Sequence, residues 1–341
     1  MRVAMYYNNK DIRLEEIPVP VIGPDELLVK VFACGICGSD VLEWYRIKKA
    51  PLVLGHEMAG EIVKIGENVD KFNIGDRVFV SHHVPCNTCH YCATGHHTAC
   101  ETLHTTNFDP GGFSEYLRVP PINVDRGTFV LPNEVSYDEG TFVEPLGCVL
   151  RGQKIVKIRP GQTVLVLGSG ISGILHIKLA AAMGAGRIIA TDVSQYKLDF
   201  ARKAGADHVF HAKEFTPDKL KDVNDGRLSE LVIVCAGALS AAEQALASVD
   251  RGGKVMFFAV PDPDDRLSIP VNQFWRDEIT LLTSYAVNID DITEAIELLR
   301  AKRVNVTDMI THRFPLERAA EGFRLMEKSD ESMKILIQPH S

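Results

Sequence analysis

Hydrophobic and polar residues follow two different rhythms along this chain, and the change falls near residue 150. In the first part, short runs rich in valine and isoleucine alternate with turns that contain glycine or proline. Such runs are typical of half-buried β-strands, and they predict strands at 26–33, 56–65 and 76–81. In the second part, continuous apolar runs begin near 164, 187, 230, 254 and 279, with helical spacings between most of them.

The second rhythm predicts a sheet covered by helices, because strands that are apolar at every position are buried on both faces of a parallel sheet. We therefore predict an α/β chain with a β-rich domain at 1–148 and a doubly wound parallel-sheet domain at 149–286. A length of 341 residues suits two domains of ordinary size. The last segment, 287–341, is too short to bury a core of its own, and we expect it to return to the first domain.

Composition and charge narrow the classes of partner. The chain has 37 Lys and Arg against 45 Asp and Glu, a net charge of −8, and it contains no basic run. We therefore expect neither a nucleic-acid partner nor a membrane partner. The N-terminus lacks the apolar core of a signal peptide, which predicts a cytoplasmic protein. The least charged stretch, 164–186, is interrupted by glycines and is a poor membrane span.

Four of the eight cysteines crowd into one short loop with the pattern C-x2-C-x2-C-x7-C, namely Cys86, Cys89, Cys92 and Cys100. Four thiolates close a tetrahedral shell and leave no position open for chemistry, so this loop predicts a structural zinc ion. A four-cysteine iron–sulfur cluster uses similar spacings. Two disulfides are a further alternative, which a chain without a secretory signal disfavours.

A glycine-rich turn follows the first strand of the second part and opens a helix; its residues are Gly168, Ser169, Gly170, Ile171, Ser172 and Gly173. This G-x-G-x-x-G pattern between a strand and a helix predicts a dinucleotide site at the helix N-terminus. Asp192 ends the next strand, where a carboxylate accepts hydrogen bonds from a ribose diol and repels a 2′-phosphate. The sequence therefore favours NAD over NADP, with Lys197 within reach of the ribose. The alternative is a tight turn that binds nothing.

Two further segments carry a family resemblance: Cys37-Gly38-Ser39-Asp40, and a run that begins Gly55-His56-Glu57 and continues through Gly60, Gly66 and Val69. These two segments are followed by the cysteine loop and then by the glycine-rich turn. With its motifs in this order, the chain resembles the zinc-containing alcohol dehydrogenases of the medium-chain dehydrogenase/reductase family. The resemblance implies a GroES-like catalytic domain followed by a Rossmann domain. It also implies NAD and two zinc ions per chain, one catalytic and one structural.

The resemblance also implies roles for single residues. Cys37 and His56 match the first two ligands of the catalytic zinc, and Glu144 stands at the position of the third. Glu57 matches a residue at or just behind the metal, and Asp40 one that orients the histidine ligand. Ser39 matches the hydroxyl that relays the substrate proton. Cys34, in contrast, is expected to be a small buried residue and not a ligand.

The third ligand has alternatives. Pro145 is expected to hold Glu144 in an extended conformation, with a helix beginning after it. In that case Cys148 cannot replace Glu144. Glu144 can also cap the incoming helix, and the metal then takes Glu57 or water.

Two positions depart from the patterns of relatives, and a third, His83, bears on the substrate. Leu42 stands where many relatives have a relay histidine, which leaves the exit route of the proton open. Arg151 replaces a histidine of polyol dehydrogenases and is suited to a charged substrate group or to the cofactor phosphates. His83 resembles a substrate-cleft histidine of threonine dehydrogenases, although a surface histidine is equally consistent.

These features predict an NAD-dependent zinc dehydrogenase that oxidises a secondary hydroxyl of a polyol, sugar or cyclitol. A threonine dehydrogenase is the alternative within enzymes, and a zinc-stabilised NAD-binding protein without turnover is the alternative outside them. By resemblance we expect a homo-oligomer, either a dimer or a tetramer.

Overall fold

Sixteen strands and thirteen helices form from residues 1–328 and 330–341, the part of the chain that this computed structural model describes. The strands are β1 (Arg2–Asn8), β2 (Asp11–Glu16), β3 (Leu27–Gly35), β4 (Leu52–Val53), β5 (Glu57–Ile65), β6 (Arg77–Val80), β7 (Tyr116–Val119), β8 (Thr128–Val130), β9 (Thr163–Leu167), β10 (Arg187–Asp192), β11 (His208–His211), β12 (Ser229–Val234), β13 (Val249–Phe257), β14 (Thr280–Thr283), β15 (Ile310–Pro315) and β16 (Lys334–Gln338). The helices are α1 (Glu43–Arg46), α2 (His90–Ala93), α3 (Glu101–Thr105), α4 (Pro121–Arg126), α5 (Tyr137–Gly140), α6 (Val143–Val156), α7 (Ile171–Ala182), α8 (Gln195–Ala204), α9 (Pro217–Val223), α10 (Leu239–Ser248), α11 (Val271–Arg276), α12 (Ile289–Arg300) and α13 (Ala319–Lys328). They group into two units, Met1–Gly147 with Ala286–Ser341, and Cys148–Tyr285.

The first unit is built on a seven-stranded sheet in the order β15-β16-β3-β5-β6-β8, with β7 also paired to β3. A three-stranded sheet, β2-β1-β4, accompanies it. Strand β16 pairs with β3 through Leu336 and Gly35, so the end of the chain extends the sheet formed by its beginning. Alternating residues of these strands, among them Val29, Val31 and Ile335, are fully buried in one core.

The second unit is a six-stranded parallel sheet in the order β11-β10-β9-β12-β13-β14. Its central strands are apolar throughout; every residue of β9 is buried, as expected for a sheet with helices on both faces. The strand order reverses between β9 and β12. In such sheets ligands bind beyond the carboxyl ends of the strands at this reversal.

Several predicted strands agree with the structure to within two residues: β3, β5 and β6 in the first unit, and β9, β10, β12 and β14 in the second. Strand β13 starts five residues before the apolar run at 254 that predicts it. Its first part contains Asp250, Arg251, Gly252 and Gly253. The apolar pattern does not predict this part of the strand because none of these four residues is a large apolar residue.

The turn from β9 into α7 generates a stability prediction from two glycines. A Cβ on Gly173 would overlap the carbonyl oxygen of Gly168, whereas a Cβ on Gly170 would have no heavy atom within 4 Å. Because a backbone atom must move, we expect Gly173→Ala to lower the free energy of unfolding by about 1–3 kcal/mol. Gly170→Ala, the matched control, should change it by less than about 0.5 kcal/mol. Urea unfolding of both variants measures the difference, and equal stabilities would contradict the prediction.

Candidate active site and metal centres

The first unit brings a thiol, an imidazole and a carboxylate together. The ligand atoms of Cys37, His56 and Glu57 all lie within 4.8 Å of one another. Cys37 follows the end of β3, and His56 and Glu57 stand at the start of β5. The two strands are antiparallel neighbours that pair Gly35 with Glu57, so the register of the sheet places these side chains at one end. Cys34, which lies within β3 three residues before Cys37, is fully buried, as expected of a packing residue.

A fully buried carboxylate, Asp40, organises this group. Its Oδ2 accepts a hydrogen bond from the backbone N–H of Cys37 at 3.1 Å, and its Oδ1 lies 3.5 Å from His56 Nδ1. Arg46 Nη2 donates to the same Oδ1 at 3.3 Å. Burial alone would raise the pKa of Asp40, but His56 and Arg46 bring it below its ordinary value. The contact with Nδ1 orients the ring so that Nε2 is the nitrogen available to a metal ion.

The hydroxyl of Ser39 lies between Cys37 and a guanidinium that sequence reasoning missed. Ser39 Oγ donates to Cys37 Sγ at 3.5 Å, and Arg46 Nη2 donates to Ser39 Oγ at 2.9 Å. A guanidinium only donates hydrogen bonds and stays protonated. Arg46 therefore cannot receive a proton from Ser39, and Leu42, which replaces the relay histidine of relatives, cannot do so either. No motif marks Arg46, and only the folded contact reveals it.

Glu57 forms an ion pair with a buried lysine, Lys334, whose Nζ donates a hydrogen bond to Glu57 Oε2. Both side chains are buried, at 1% and 0% exposure. Burial raises the pKa of Glu57, and the negative charge of Glu144 acts in the same direction, while Lys334 and His56 oppose the shift. The structure thus places Glu144 in the electrostatic neighbourhood of Glu57. Within the described residues, however, Glu144 lies outside the group of three ligand atoms.

The conformation expected for Glu144 is wrong. Helix α6 begins at Val143, so Glu144 and Pro145 both lie in its first turn. Proline is tolerated there because the N–H groups of a first helical turn have no intrahelical partner. Cys148 consequently lies four residues from Glu144 on the same helix, where side chains share a face. Glu144 is buried, and Arg151 lies further along the same helix.

Two histidines lie beside His56. The rings of His56 and His82 are 4.7 Å apart, and those of His82 and His83 are 3.8 Å apart. Burial lowers the pKa of His83 to about 3, and positive neighbours, with His56 first, add to the effect. His83 is therefore neutral at ordinary pH and can both donate and accept a hydrogen bond.

The four-cysteine loop forms a second group, in which the sulfur atoms of Cys86, Cys89, Cys92 and Cys100 all lie within 4.8 Å. Two pairs are 3.6 Å apart, Cys89 with Cys92 and Cys86 with Cys100. A tetrahedral zinc ion with bonds of about 2.3 Å separates its sulfur ligands by about 3.8 Å, whereas a disulfide needs about 2.05 Å. The spacing fits a metal ion and excludes the arrangement with two disulfides.

In the second unit, the glycine-rich turn connects β9 to α7, and Ile171 is the first residue of that helix. Gly168 has a φ of +95°, which favours glycine, and the space around Gly170 is open. Asp192 ends β10, and its carboxylate accepts hydrogen bonds from the backbone N–H groups of Ser169 at 2.7 Å and Ser194 at 2.9 Å. These contacts hold the carboxylate against the turn. Ser172 and Lys197 lie in the first turns of α7 and α8.

A Rossmann-type sheet with a glycine-rich turn, a thiol–imidazole–carboxylate group and a four-cysteine loop define a zinc-dependent oxidoreductase. Residues 23–126 match the family model of the alcohol dehydrogenase GroES-like domain, and residues 172–301 match that of the zinc-binding dehydrogenases. The chain belongs to the zinc-containing alcohol dehydrogenases of the medium-chain dehydrogenase/reductase family. This confirms the predicted fold class, a GroES-like domain with a Rossmann domain, and the predicted class of enzyme.

Individual relatives are similar over nearly their whole length. Sorbitol dehydrogenase of Bacillus subtilis is 32% identical over 352 residues, which cover 100% of this chain and 98% of the relative. Galactitol-1-phosphate dehydrogenase of Escherichia coli has a TM-score of 0.89 at 26% identity, covering 99% of this chain and 100% of that one. A zinc-binding dehydrogenase of Sinorhizobium meliloti 1021 bound to NADP has a TM-score of 0.88 at 27% identity, covering 99% of both chains. Among the described residues, no helix is long and apolar enough to cross a bilayer.

Proposed function

We propose that this protein is an NAD-dependent zinc dehydrogenase that oxidises a secondary hydroxyl of a polyol, sugar or cyclitol. The observation that carries the proposal is the group of Cys37 and His56 with buried carboxylates near it, in a chain that has a complete dinucleotide turn. The similarity to sorbitol dehydrogenase and galactitol-1-phosphate dehydrogenase supports a polyol substrate.

Cys37, His56 and Glu144 are the proposed ligands of the catalytic zinc. Two ionised ligands and one neutral imidazole balance the charge of Zn²⁺ and leave a fourth position for the substrate oxygen. When bound, zinc supplies a Lewis acid, and the electrons leave as hydride to the nicotinamide. A carboxylate is a harder and more exchangeable ligand than a thiolate, which suits a centre that must exchange water for a hydroxyl in each cycle.

The remaining residues of the first unit position this group and supply no redox chemistry. Asp40 holds the His56 ring and the Cys37 backbone. Ser39 presents a hydroxyl whose second partner, Arg46, cannot take a proton. We therefore infer that the substrate proton leaves by a path that does not continue from Ser39 to Arg46.

The four-cysteine loop is the proposed site of a structural zinc ion. Hydrogen bonds from Thr88 and Cys89 lower the pKa of the Cys86 thiol to about 5, whereas burial and neighbouring thiols raise the pKa of Cys92 to about 12. Binding of a metal ion would displace the proton of Cys92. We further infer that the protein is a homo-oligomer, a dimer or a tetramer, as the family resemblance implies. We also infer that it is cytoplasmic.

The substrate prediction is tested by NADH formation over a panel of polyols, cyclitols and threonine, with zinc per chain measured on the same sample. We expect two zinc ions per chain and turnover with at least one polyol or cyclitol. Threonine is included because His83 resembles a substrate-cleft histidine of threonine dehydrogenases. Turnover with threonine alone would transfer the protein to that class, and two zinc ions without any turnover would favour a non-catalytic NAD-binding protein.

Cofactor preference is tested at Asp192. Its buried carboxylate would leave a 2′-phosphate repelled and unpaired, so we expect kcat/KM to favour NAD over NADP by roughly 10- to 1000-fold. Asp192→Ser combined with Val193→Arg should move the preference toward NADP. Asp199→Ser is a matched control, because Asp199 lies on the exposed face of α8 and pairs with Arg202. Equal kcat/KM values with both cofactors in the unmodified enzyme would reject the assignment.

The third zinc ligand is tested by comparing Glu144→Gln with Cys148→Ser, since both side chains lie on one face of α6. We expect Glu144→Gln to lower kcat/KM by roughly 100-fold or more and to reduce bound zinc toward one ion per chain. Cys148→Ser should leave zinc content and turnover near those of the unmodified enzyme. The reverse pattern would assign the ligand to Cys148.

A further inference from the structure

The parallel sheet of the second unit has a cavity at the amino ends of its strands. This amino-end cavity has a volume of about 390 Å³ and lies where β9, β12 and β13, which are neighbours in the sheet, begin. The glycine-rich turn follows the carboxyl end of β9, so the cavity and the turn lie at opposite ends of one strand. The cavity is therefore separate from the proposed dinucleotide site. Small-molecule sites typically have volumes of about 300–1,000 Å³.

Positive side chains dominate the lining of the amino-end cavity. They come from two segments, the turn between α6 and β9 and the first part of β13, while β12 supplies a single carboxylate. The charged residues of the lining are Lys157, Arg159, Glu230, Arg251 and Lys254. Four cations and one carboxylate give the cavity a net positive charge, although the chain as a whole carries −8. A cleft lined by one sign of charge concentrates ions of the opposite sign.

The cations of this cavity are incompletely neutralised. Arg159 Nη2 lies 3.8 Å from Glu230 Oε1, and the arginine side chain is 70% exposed. The other oxygen, Glu230 Oε2, accepts a hydrogen bond from the backbone N–H of Thr163 at 2.9 Å. Within the part of the chain that the structure describes, Lys157 and Arg251 form no ion pair. Several basic residues elsewhere in the same unit do pair with an aspartate, namely Arg187, Arg202 and Lys221.

An irregularity of β13 places one of these cations at the cavity. While β12 advances from Ser229 to Leu231, its neighbour β13 advances from Val249 to Lys254. The additional residues of β13 form a bulge, and Arg251 lies in it. Bulges interrupt strand pairing and redirect side chains. The exposed guanidinium of Arg251 consequently joins the lining of the cavity and does not cover the face of the sheet.

Lys254 is held in place at the other end of this bulge. Its Nζ donates a hydrogen bond to the carbonyl oxygen of Val156, the last residue of α6, at 2.6 Å. An ammonium has three N–H donors, so two remain for a ligand. The cavity thus combines a fixed ammonium with two guanidinium groups, which can each form paired hydrogen bonds with phosphate oxygens.

We propose that the amino-end cavity binds a phosphorylated small molecule and that Arg159, Arg251 and Lys254 hold its diphosphate group. A diphosphate suits this lining better than a single phosphate does, because the cations outnumber the carboxylate by three. Glu230 only accepts hydrogen bonds when ionised, and it can accept them from hydroxyl groups of the same ligand. The proposal goes beyond the proposed function and does not depend on the zinc ligands or the oxidised substrate.

The test titrates pyrophosphate into the full-length protein, with saturating NAD present to fill the glycine-rich turn, and measures binding by calorimetry. We expect one pyrophosphate site per chain. Arg159→Gln combined with Arg251→Gln should weaken binding by roughly tenfold or more, because two bidentate partners are lost. Both side chains are exposed, so the double variant is expected to fold.

The matched control is Arg202→Gln combined with Lys221→Gln. It removes the same number of positive charges from exposed positions of the same unit, outside the cavity. Screening by salt should limit its effect to less than about twofold. Both double variants retain every proposed zinc ligand, so any binding of pyrophosphate to zinc affects them equally.

Two further measurements test the carboxylate and the class of anion. Glu230→Gln removes the negative charge near Arg159 and keeps an oxygen for the N–H of Thr163, so it should tighten pyrophosphate binding by roughly 3- to 10-fold. Citrate is a multiply charged anion without a phosphate group, and we expect it to bind roughly tenfold more weakly than pyrophosphate.

The proposal is overturned if pyrophosphate does not bind at about 1 mM, or if the cavity variant and the control variant bind it equally. Equal affinities for citrate and pyrophosphate would show an unselective anion site and reject the phosphate class. A single-stranded oligonucleotide that binds more tightly than pyrophosphate, and loses this binding in the cavity variant, would assign the surface to nucleic acid instead. If the cavity variant does not fold, Glu230→Gln and the citrate comparison still decide.

Discussion

The need to compensate buried negative charge is the constraint on which the site around Cys37 and His56 depends. Asp40, Glu57 and Glu144 are all buried. An ionised carboxylate in a protein interior is costly unless a positive group and hydrogen bonds compensate it. Asp40 has the Arg46 guanidinium and a contact with His56 Nδ1, Glu57 has Lys334, and the proposed zinc ion would serve Glu144. Each cation near the centre can thus be assigned to a particular carboxylate, and the choice of partners determines which oxygen atoms remain for a metal ion.

Backbone register is what assembles these pairs. Strand β3 lies between β16 and β5, so residues from near the start and the end of the chain meet across a single strand. Gly35 faces Glu57 on one side and Leu336 on the other, and its lack of a side chain leaves the passage that Lys334 occupies. Extending the first sheet with the last strand therefore has a chemical consequence as well as a structural one.

The sequence predicts the parts of this arrangement that are local. Spacing of cysteines and glycines, and the periodicity of apolar residues, are properties of short segments. The four-cysteine loop, the glycine-rich turn and eight of the sixteen strands could therefore be predicted. Arg46 and Lys334 could not, because their partners are set by tertiary pairing and neither belongs to a motif. The start of α6 was mispredicted for a local reason. The effect of a proline on the residue before it is only a preference, and a proline within the first helical turn breaks no intrahelical hydrogen bond.

The two proposed metal centres solve the charge problem in opposite ways. Four thiolates around Zn²⁺ carry an excess of two negative charges, which is tolerable because Cys86 and Cys89 are partly exposed. Backbone N–H groups of Cys86, Thr88 and Cys89 also donate to the sulfur atoms at 3.3–3.4 Å. In the other centre the carboxylates Asp40, Glu57 and Glu144 are buried, so their charge must be balanced by side chains and by the proposed metal ion. Each buried carboxylate there needs a positive partner, and the buried Lys334 supplies one to Glu57.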